Sequence, residues 1–381
     1  MTILRPETPE GFASALAECS SSKQTIKIEG CGTKSRMAGY VREPDICIQT
    51  TGLTKILQYE PRDLTISVEA GCRWANLEAL VARDRLMIPL DPPFTPEATA
   101  GGVVAANSNG PRRRLYGTAR DLIIGMTFAT LEGKLVQSGG MVVKNVAGLD
   151  MAKLMVGSFG TLAGITSLNF KLVPAPPFWR TFLFRFSSAA DAIERRDAIL
   201  NSVLQPAALD LLNPSAAAGI GREGYLLLVR AGGSTAVLDR YSKSLEGADV
   251  LDGADEEQFW NSVREFTPNF LAKHPDGSTV RVSTVLPEVG AVLEEITSPA
   301  VARAGSGVVY VYFSDGPTAV QWLGRAIEKG WRAVLEIHPP DLPSGVEMWP
   351  KPGDDFEMMK RIKQMFDPSN LLNRGRLYGR I

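Results

Sequence analysis

The run Gly30-Cys31-Gly32-Thr33-Lys34-Ser35 follows an alternating strand pattern at Thr25 to Glu29. Consecutive N–H groups in such a turn can form an anion nest, with the Thr33 and Ser35 hydroxyls as further donors. The same residues also suit a plain surface turn. Ser35 occupies the last position of a would-be GxGxxG, so a dinucleotide-binding Rossmann unit is excluded. A Walker loop fails too, because Thr33 rather than glycine precedes the Lys-Ser pair. A second stretch, Ala98 to Asp121 (ATAGGVVAANSNGPRRRLYGTARD), puts Gly101 and Gly102 where backbone N–H groups could meet a phosphate or a ring edge, or where helices pack closely. Arg112, Arg113 and Arg114 within it read as a solvated charged loop with at most one of them facing a ligand. A third stretch, Lys144 to Thr166 (KNVAGLDMAKLMVGSFGTLAGIT), again mixes glycines with a few bulky anchors. Together the second and third stretches describe a wall against which a large flat ligand can lie.

The elements needed to position these residues alternate through the first third of the chain. Thr8-Pro9 caps and opens a helix, and strands are expected at Thr25 to Glu29, Asp45 to Gln49 and around Leu64, Ile66 and Val68. Trp74, Leu77, Leu80 and Val81 recur at helical spacing. Asp121 to Gly139 reads as two strands about a Glu132-Gly133 turn, and Ala163 to Val173 as another strand stopped by prolines. The proline cluster at 174–178 is the expected domain boundary, since proline cannot continue a ladder. Beyond it, strands at Gly224 to Arg230 and Gly307 to Phe313 and a helix at Ala319 to Lys329 suggest an antiparallel sheet backed by helices. A last helix near Asp355 to Phe366 runs into FDPSNLLNRGRL. The expected class is α+β, with domains at 1–174 and 178–354 and a C-terminal segment, 355–381.

Composition removes several function classes. A net charge of −1 and a pI near 6.3 give no field for nucleic acid or an anionic membrane. No apolar run reaches the ~18 residues of a transmembrane segment, and the N-terminus lacks a signal-peptide pattern, so a cytoplasmic protein is expected. Cys19, Cys31, Cys47 and Cys72 form no CxxC pair, so four reduced thiols are expected and no metal site. His274 and His338 are the only histidines.

In order, GCGTKS, TAGG-x4-N-x-NG-x5-YGTARD, KNVAGLDMAKLMVGSFGTLAGIT and FDPSNLLN resemble the vanillyl-alcohol oxidase / p-cresol methylhydroxylase (PCMH-type) FAD-binding flavoproteins. The match covers most of residues 20–174 and the tail. Within that superfamily the chain looks most like the FAD-binding subunits of bacterial glycolate oxidase, relatives of the D-lactate and D-2-hydroxyacid dehydrogenases. The resemblance implies a PCMH-type FAD-binding domain of two α+β subdomains plus a cap domain. It implies that Gly30, Cys31, Gly32, Thr33, Lys34 and Ser35 hold the FAD pyrophosphate through backbone N–H groups. Thr99, Ala100, Gly101, Gly102, Asn109, Gly110, Tyr116 and Gly117 line the flavin and its ribityl and phosphate chain, Gly164 and Ile165 meet the adenine end, and Asn373 returns toward the isoalloxazine ring.

The chain departs from the family at Leu149, where Tyr is frequent, at Ala163-Gly164, where Gly-Ile is frequent, and at Arg374, where Pro is usual. With no His in the flavin domain and Cys31 read as packing, FAD is expected to be noncovalent. Catalytic relatives carry an H-x-G-x-G-N-x-H cluster in the cap domain that is missing here; His338 could be a lone base and Arg281 a carboxylate holder, though a structural role suits both better. The catalytic residues are thus unknown. The preferred expectation is a subunit that binds FAD and relays electrons or supports assembly. Its partners would be a paralogous catalytic FAD subunit and an iron–sulfur subunit that oxidise a small 2-hydroxy acid such as glycolate. Contact with a membrane would come only through them. The alternatives are a stand-alone FAD-dependent 2-hydroxyacid dehydrogenase and a flavin-free structural subunit.

Overall fold

The structure is a computed structural model that describes residues 1–141, 150–342 and 346–381. Residues 144–149 of the third motif, Leu149 included, lie outside the described residues. The chain divides into two compact units, residues 1–109, 117–175 and 351–381 in the first and 110–116 with 176–350 in the second.

The first unit holds two larger sheets. β1 (Thr2–Leu4), β2 (Ile26–Glu29) and β3 (Ile46–Gln49) form a parallel sheet in the order β1-β3-β2. α1 (Pro9–Ser21) starts where Thr8 Oγ1 accepts from Gly11 N–H at 3.0 Å, with proline at its first position where a missing N–H costs nothing. Its buried face, Phe12, Ala13, Leu16 and Cys19, packs on Ile26, Ile48 and Leu53. The second sheet is antiparallel and contains β4 (Ile56–Glu60), β5 (Thr65–Glu69), β7 (Ile123–Ala129), β8 (Leu135–Gly139) and β9 (Gly164–Lys171) in the order β4-β5-β9-β7-β8. β7 and β8 form the expected hairpin, closed by Gly133 at φ +77° and by Gly133 N–H donating to the Thr130 carbonyl at 3.0 Å. α2 (Trp74–Ala82) buries Trp74, whose ring meets Phe170 edge-on at 5.8 Å. The proline stop differs in detail from expectation: β10 (Val173–Pro174) still pairs with β6 (Leu86–Met87), because as an edge residue Pro174 need not donate.

The second unit is built on an eight-stranded antiparallel sheet. Its strands are β11 (Phe178–Phe186), β12 (Ala208–Leu212), β13 (Tyr225–Gly233), β14 (Asp249–Asp252), β15 (Ser278–Ser283), β16 (Ala300–Arg303), β17 (Val308–Phe313) and β18 (Arg332–Ile337), in the order β14-β11-β13-β12-β16-β17-β15-β18. Alternation sorts the two faces. Phe182, Leu211, Val229, Val280, Val309 and Leu335 point into a large apolar core that also takes in Trp322 and Leu323 of the helix Gly316–Glu328. That helix starts earlier than its apolar spacing indicates because Asp315 caps it. The opposite face carries a smaller core around Phe259, Trp260 and Phe266.

The arginine run does not form the expected solvated loop. Residues 110–116 belong to the second unit, where all three arginines are half-buried: Arg112 lies 5.9 Å from the Trp179 ring, and Arg114 Nη1 donates to the Pro206 carbonyl at 3.1 Å.

Candidate FAD-binding cleft

A cleft opens in the first unit, lined by the Gly30 loop, α3 (Ala100–Ala105), the described end of the third motif and the C-terminal tail. One wall is the loop Gly30–Ser35 at the end of β2. Gly32 adopts φ +74°, a left-handed conformation that side chains resist, and Ser35 N–H closes the turn onto the Gly32 carbonyl at 2.9 Å. The N–H groups of Cys31, Gly32 and Thr33 donate to no backbone carbonyl among the described residues. Lys34 is buried, and its Nζ lies 3.3 Å from Thr33 Oγ1.

The facing wall is α3 (Ala100–Ala105). Thr99 caps it, accepting from Gly102 N–H at 3.2 Å, and Thr99, Gly101, Gly102, Ala105 and Ala106 line the cleft. The two walls touch through a missing side chain: a Cβ on Gly30 would sit 2.2 Å from Thr99 Oγ1. Phe159, Gly160, Ala163 and Ile165 complete the lining from the described part of the third motif.

The C-terminal tail supplies the remaining side. Lys363, on the helix Asp355–Phe366, is 6% exposed and donates to Asp367 Oδ2 at 2.6 Å and to the Thr161 and Leu372 carbonyls at 2.8 and 3.0 Å. Asp367 in turn accepts from Leu371 and Leu372 N–H. This hub turns the FDPSNLLN segment so that Leu372 bridges Ile26 in parallel, one more strand position beside β2. The Asn373 amide then continues that pairing as if it were backbone: Oδ1 accepts from Ile28 N–H at 2.7 Å, and Nδ2 donates to the Ile28 and Phe159 carbonyls at 3.1 and 2.6 Å. Its polar atoms are therefore committed to the protein, although the residue lines the cleft.

Of the residues singled out from the sequence, Gly30 through Ser35, Thr99, Gly101, Gly102, Ile165 and Asn373 come together around this one cleft. Ala100 is buried in α3, and Gly164 faces α1, where a Cβ would lie 2.3 Å from the Phe12 ring. Asn109 and Gly117 lie in the first unit but outside the cleft lining; Gly110 and Tyr116 fall in the second unit. Several glycines thus have packing reasons of their own, Gly101 against Ala70 and Gly160 against Asn373. Sequence reasoning missed Arg376, which lines the cleft from the tail, and Val41 and Thr50.

The cysteines behave as buried thiols. Burial pushes Cys47 up to about 12, helped by Glu29, and Cys72 up to about 11. Burial also raises Cys31, which is the least covered of the four and lines the cleft. A thiol reagent at pH 8 is expected to modify Cys31 first and the other three only on unfolding, and FAD added to apoprotein is expected to slow the Cys31 reaction. Equal labelling of all four native thiols, counted by mass, would contradict the burial.

A nest of N–H groups, two buried cations and a flat wall of small residues fit a flavin dinucleotide, whose diphosphate needs donors and whose rings need close backbone. Fold and cleft are similar to those of the PCMH-type FAD-binding flavoproteins, which are FAD-linked oxidoreductases. Residues 2–139 match the family model described as FAD binding domain, and residues 350–377 the model described as FAD linked oxidases, C-terminal domain.

Among curated relatives, the chain is 27% identical to glycolate oxidase subunit GlcE of Escherichia coli, over 95% of both chains. It is 24% identical to glycolate oxidase subunit GlcD of Bacillus subtilis, over 99% of this chain and 89% of the relative. To D-lactate dehydrogenase of Archaeoglobus fulgidus it is 25% identical, over 98% and 90%. Among solved structures, alkyldihydroxyacetonephosphate synthase shares the fold with a TM-score of 0.70 at 17% identity, covering 97% of this chain and 75% of that one.

Proposed function

We propose that this chain is the FAD-binding subunit of a glycolate oxidase-type complex that oxidises a 2-hydroxy acid to the 2-oxo acid. It relays electrons or supports assembly beside a catalytic flavin subunit and an iron–sulfur subunit. The observation that carries this reading is a formed cleft with an N–H nest and, among the described residues, no histidine lining it. Oxidising a 2-hydroxy acid needs a cation for the carboxylate, a base for the hydroxyl proton and an acceptor for the hydride. Bound FAD supplies that acceptor. His338 is 1% exposed with Nδ1 2.7 Å from the Pro339 carbonyl, His274 packs at a tilt on Phe270 at 4.6 Å, and neither lines the cleft. Among the described residues no group of His, Cys, Asp and Glu is arranged to hold a metal, and no helix is long and apolar enough to cross a membrane. The similarity to GlcE, end to end, supports the same reading.

In this reading the N–H groups of Gly30 to Ser35 hold the diphosphate, and Thr99 to Gly102 form the flat wall. FAD is noncovalent, because both histidines lie outside the first unit and the Cys31 thiol is held in its neutral form.

One observation favours a second reading, a self-sufficient 2-hydroxyacid dehydrogenase. On the less apolar face of the second unit's sheet, Arg281 Nε lies 3.5 Å from Glu336 Oε2, with Tyr310 opposite Arg281 in register. Burial raises the Glu336 carboxyl, while Arg281 and Arg113 pull it back down. A cation and a carboxyl with a raised pKa are the minimum for holding and deprotonating a 2-hydroxy acid.

Anaerobic addition of glycolate or D-lactate to the purified, FAD-loaded chain separates the two. The expected result is a flavin spectrum that bleaches only when partner subunits are added. Bleaching by substrate alone selects the second reading, and a chain that takes up no FAD defeats both.

A further inference from the structure

We propose that Arg376 is the positioning residue of the diphosphate end of the FAD site, fixing the Gly30–Ser35 loop and supplying the cation that the cofactor's diphosphate neutralises. The proposal rests on the cleft being the FAD site.

Arg376 is 7% exposed and reaches the loop from the tail, at the end of the chain farthest in sequence from it. Nη1 donates to the Ser35 carbonyl and Nη2 to the Lys34 carbonyl, both at 3.0 Å. Two parallel bonds from a planar fork fix the direction of both peptides. With their carbonyls held back against Arg376, these peptides keep the loop in a set conformation. The guanidinium also lies 5.2 Å from the Phe159 ring, so one side chain ties the loop to a lining residue of the third motif.

The electrostatics need a partner that the protein does not provide. Among the described residues no carboxylate lies within ion-pair distance of Arg376, and its buried Nε has no acceptor. Glu29, the one acid whose field it feels, is already engaged by Lys27 Nζ at 2.7 Å, Gln49 Nε2 at 3.1 Å and Cys47 Sγ at 3.3 Å. Burial lowers the Arg376 pKa to about 10, the mark of a cation held where water solvates it poorly. Removing a cation from water without an ion pair is costly, and a bound anion at this position offsets that cost. Lys34 adds a second buried cation on the same loop. The ligand chemistry that answers Arg376, beside the N–H groups of Cys31 to Thr33, is a diphosphate.

The fork and the charge separate in two variants. Arg376→Gln removes the cation, while Arg376→Lys keeps the charge and loses the fork. FAD is titrated into apoprotein of each by fluorescence quenching, with ADP as competitor and the apoprotein melting temperature measured alongside. Arg376→Gln is expected to weaken FAD about 10- to 100-fold and ADP by the same factor, since both carry the diphosphate. Arg376→Lys is expected to recover part of that loss while binding FAD with a steeper salt dependence than wild type. Wild-type FAD affinity in Arg376→Gln overturns the proposal, as does a loss that Lys restores in no part. If the Gln variant does not fold, wild-type FAD affinity in Arg376→Lys overturns the clamp. A wild-type chain that binds neither FAD nor ADP removes the cofactor assignment instead, so the two failures are distinguishable.

Discussion

Lys363→Met is expected to destabilise the first unit by about 3–5 kcal/mol, because it strands a buried carboxylate. Lys363 Nζ is the shared donor for Asp367 and for the Thr161 and Leu372 carbonyls, and all four groups are buried or nearly so. Methionine fills most of the volume but leaves the Thr161 and Leu372 carbonyls without this donor, and the Asp367 carboxylate then has only the Leu371 and Leu372 N–H groups. At roughly 2–4 °C per kcal/mol for a unit of this size, the melting transition should fall by roughly 6–20 °C. The loss should be local at first: the Leu372 bridge to Ile26 frees, and hydrogen exchange at Leu371, Leu372 and Asn373 accelerates before that of β7 and β9. Asp367→Asn on top of Lys363→Met removes the stranded charge, so the double variant should lose at least ~1 kcal/mol less than the sum of the singles. A melting temperature for Lys363→Met within about 2 °C of wild type would show that the hub does not hold the tail.

The same hub shows what a sequence can and cannot reveal. FDPSNLLN is legible as a motif because its residues have local signatures. What it touches is not legible, because Asp367 and Thr161 are about two hundred residues apart and nothing in either neighbourhood encodes the other. Strand β5 was readable from the alternation of Ile66 and Val68, although Thr65, Ser67 and Glu69 on its other face are buried too and Leu64 falls just before it, at φ +55°. The Gly30 loop by itself suited a surface turn as well as an anion nest, and it gained meaning only from the ordered motifs that follow it. Individual glycine roles were not, because a missing Cβ looks the same whether it leaves room for a ligand or for a neighbour: Gly164 yields to Phe12 and Gly101 to Ala70. Arg376 escaped notice for the opposite reason. An arginine in a polar tail reads as solvated, whereas here it is 7% exposed, on a tail that packs closely on Gly39, whose N–H donates to the Arg376 carbonyl at 2.7 Å. The arginine run at 112–114 failed in the same way, since three adjacent charges ordinarily mark solvent and here lie half-buried against the second unit's own sheet.

Gly30→Val is expected to empty the cleft of flavin while leaving the second unit folded. At this position the first Cβ atom would already stand 2.2 Å from Thr99 Oγ1 and 3.0 Å from Thr99 Cγ2, well inside van der Waals contact. Neither side can yield easily. Thr99 is held as the cap of α3 by Gly102 N–H at 3.2 Å, and the Ala100 and Gly101 N–H groups donate to the Cys72 and Ala70 carbonyls at 2.9 and 2.8 Å. The loop on the other side is fixed by the Gly32 turn and by Arg376. Overpacking of this kind costs about 1–3 kcal/mol, and here the strain is relieved by moving the two walls apart. In the proposed site the N–H nest and the flat helix wall face one ligand, so a displacement of even ~1 Å is expected to cost the cofactor roughly 100-fold or more in affinity. The ratio of absorbance at 450 nm to 280 nm in purified protein reads this directly. Gly30→Ala, which adds the same first carbon and no branches, should show the same defect to a lesser degree. Full flavin occupancy in Gly30→Val would mean that the contact between loop and helix cap does not shape the cofactor site.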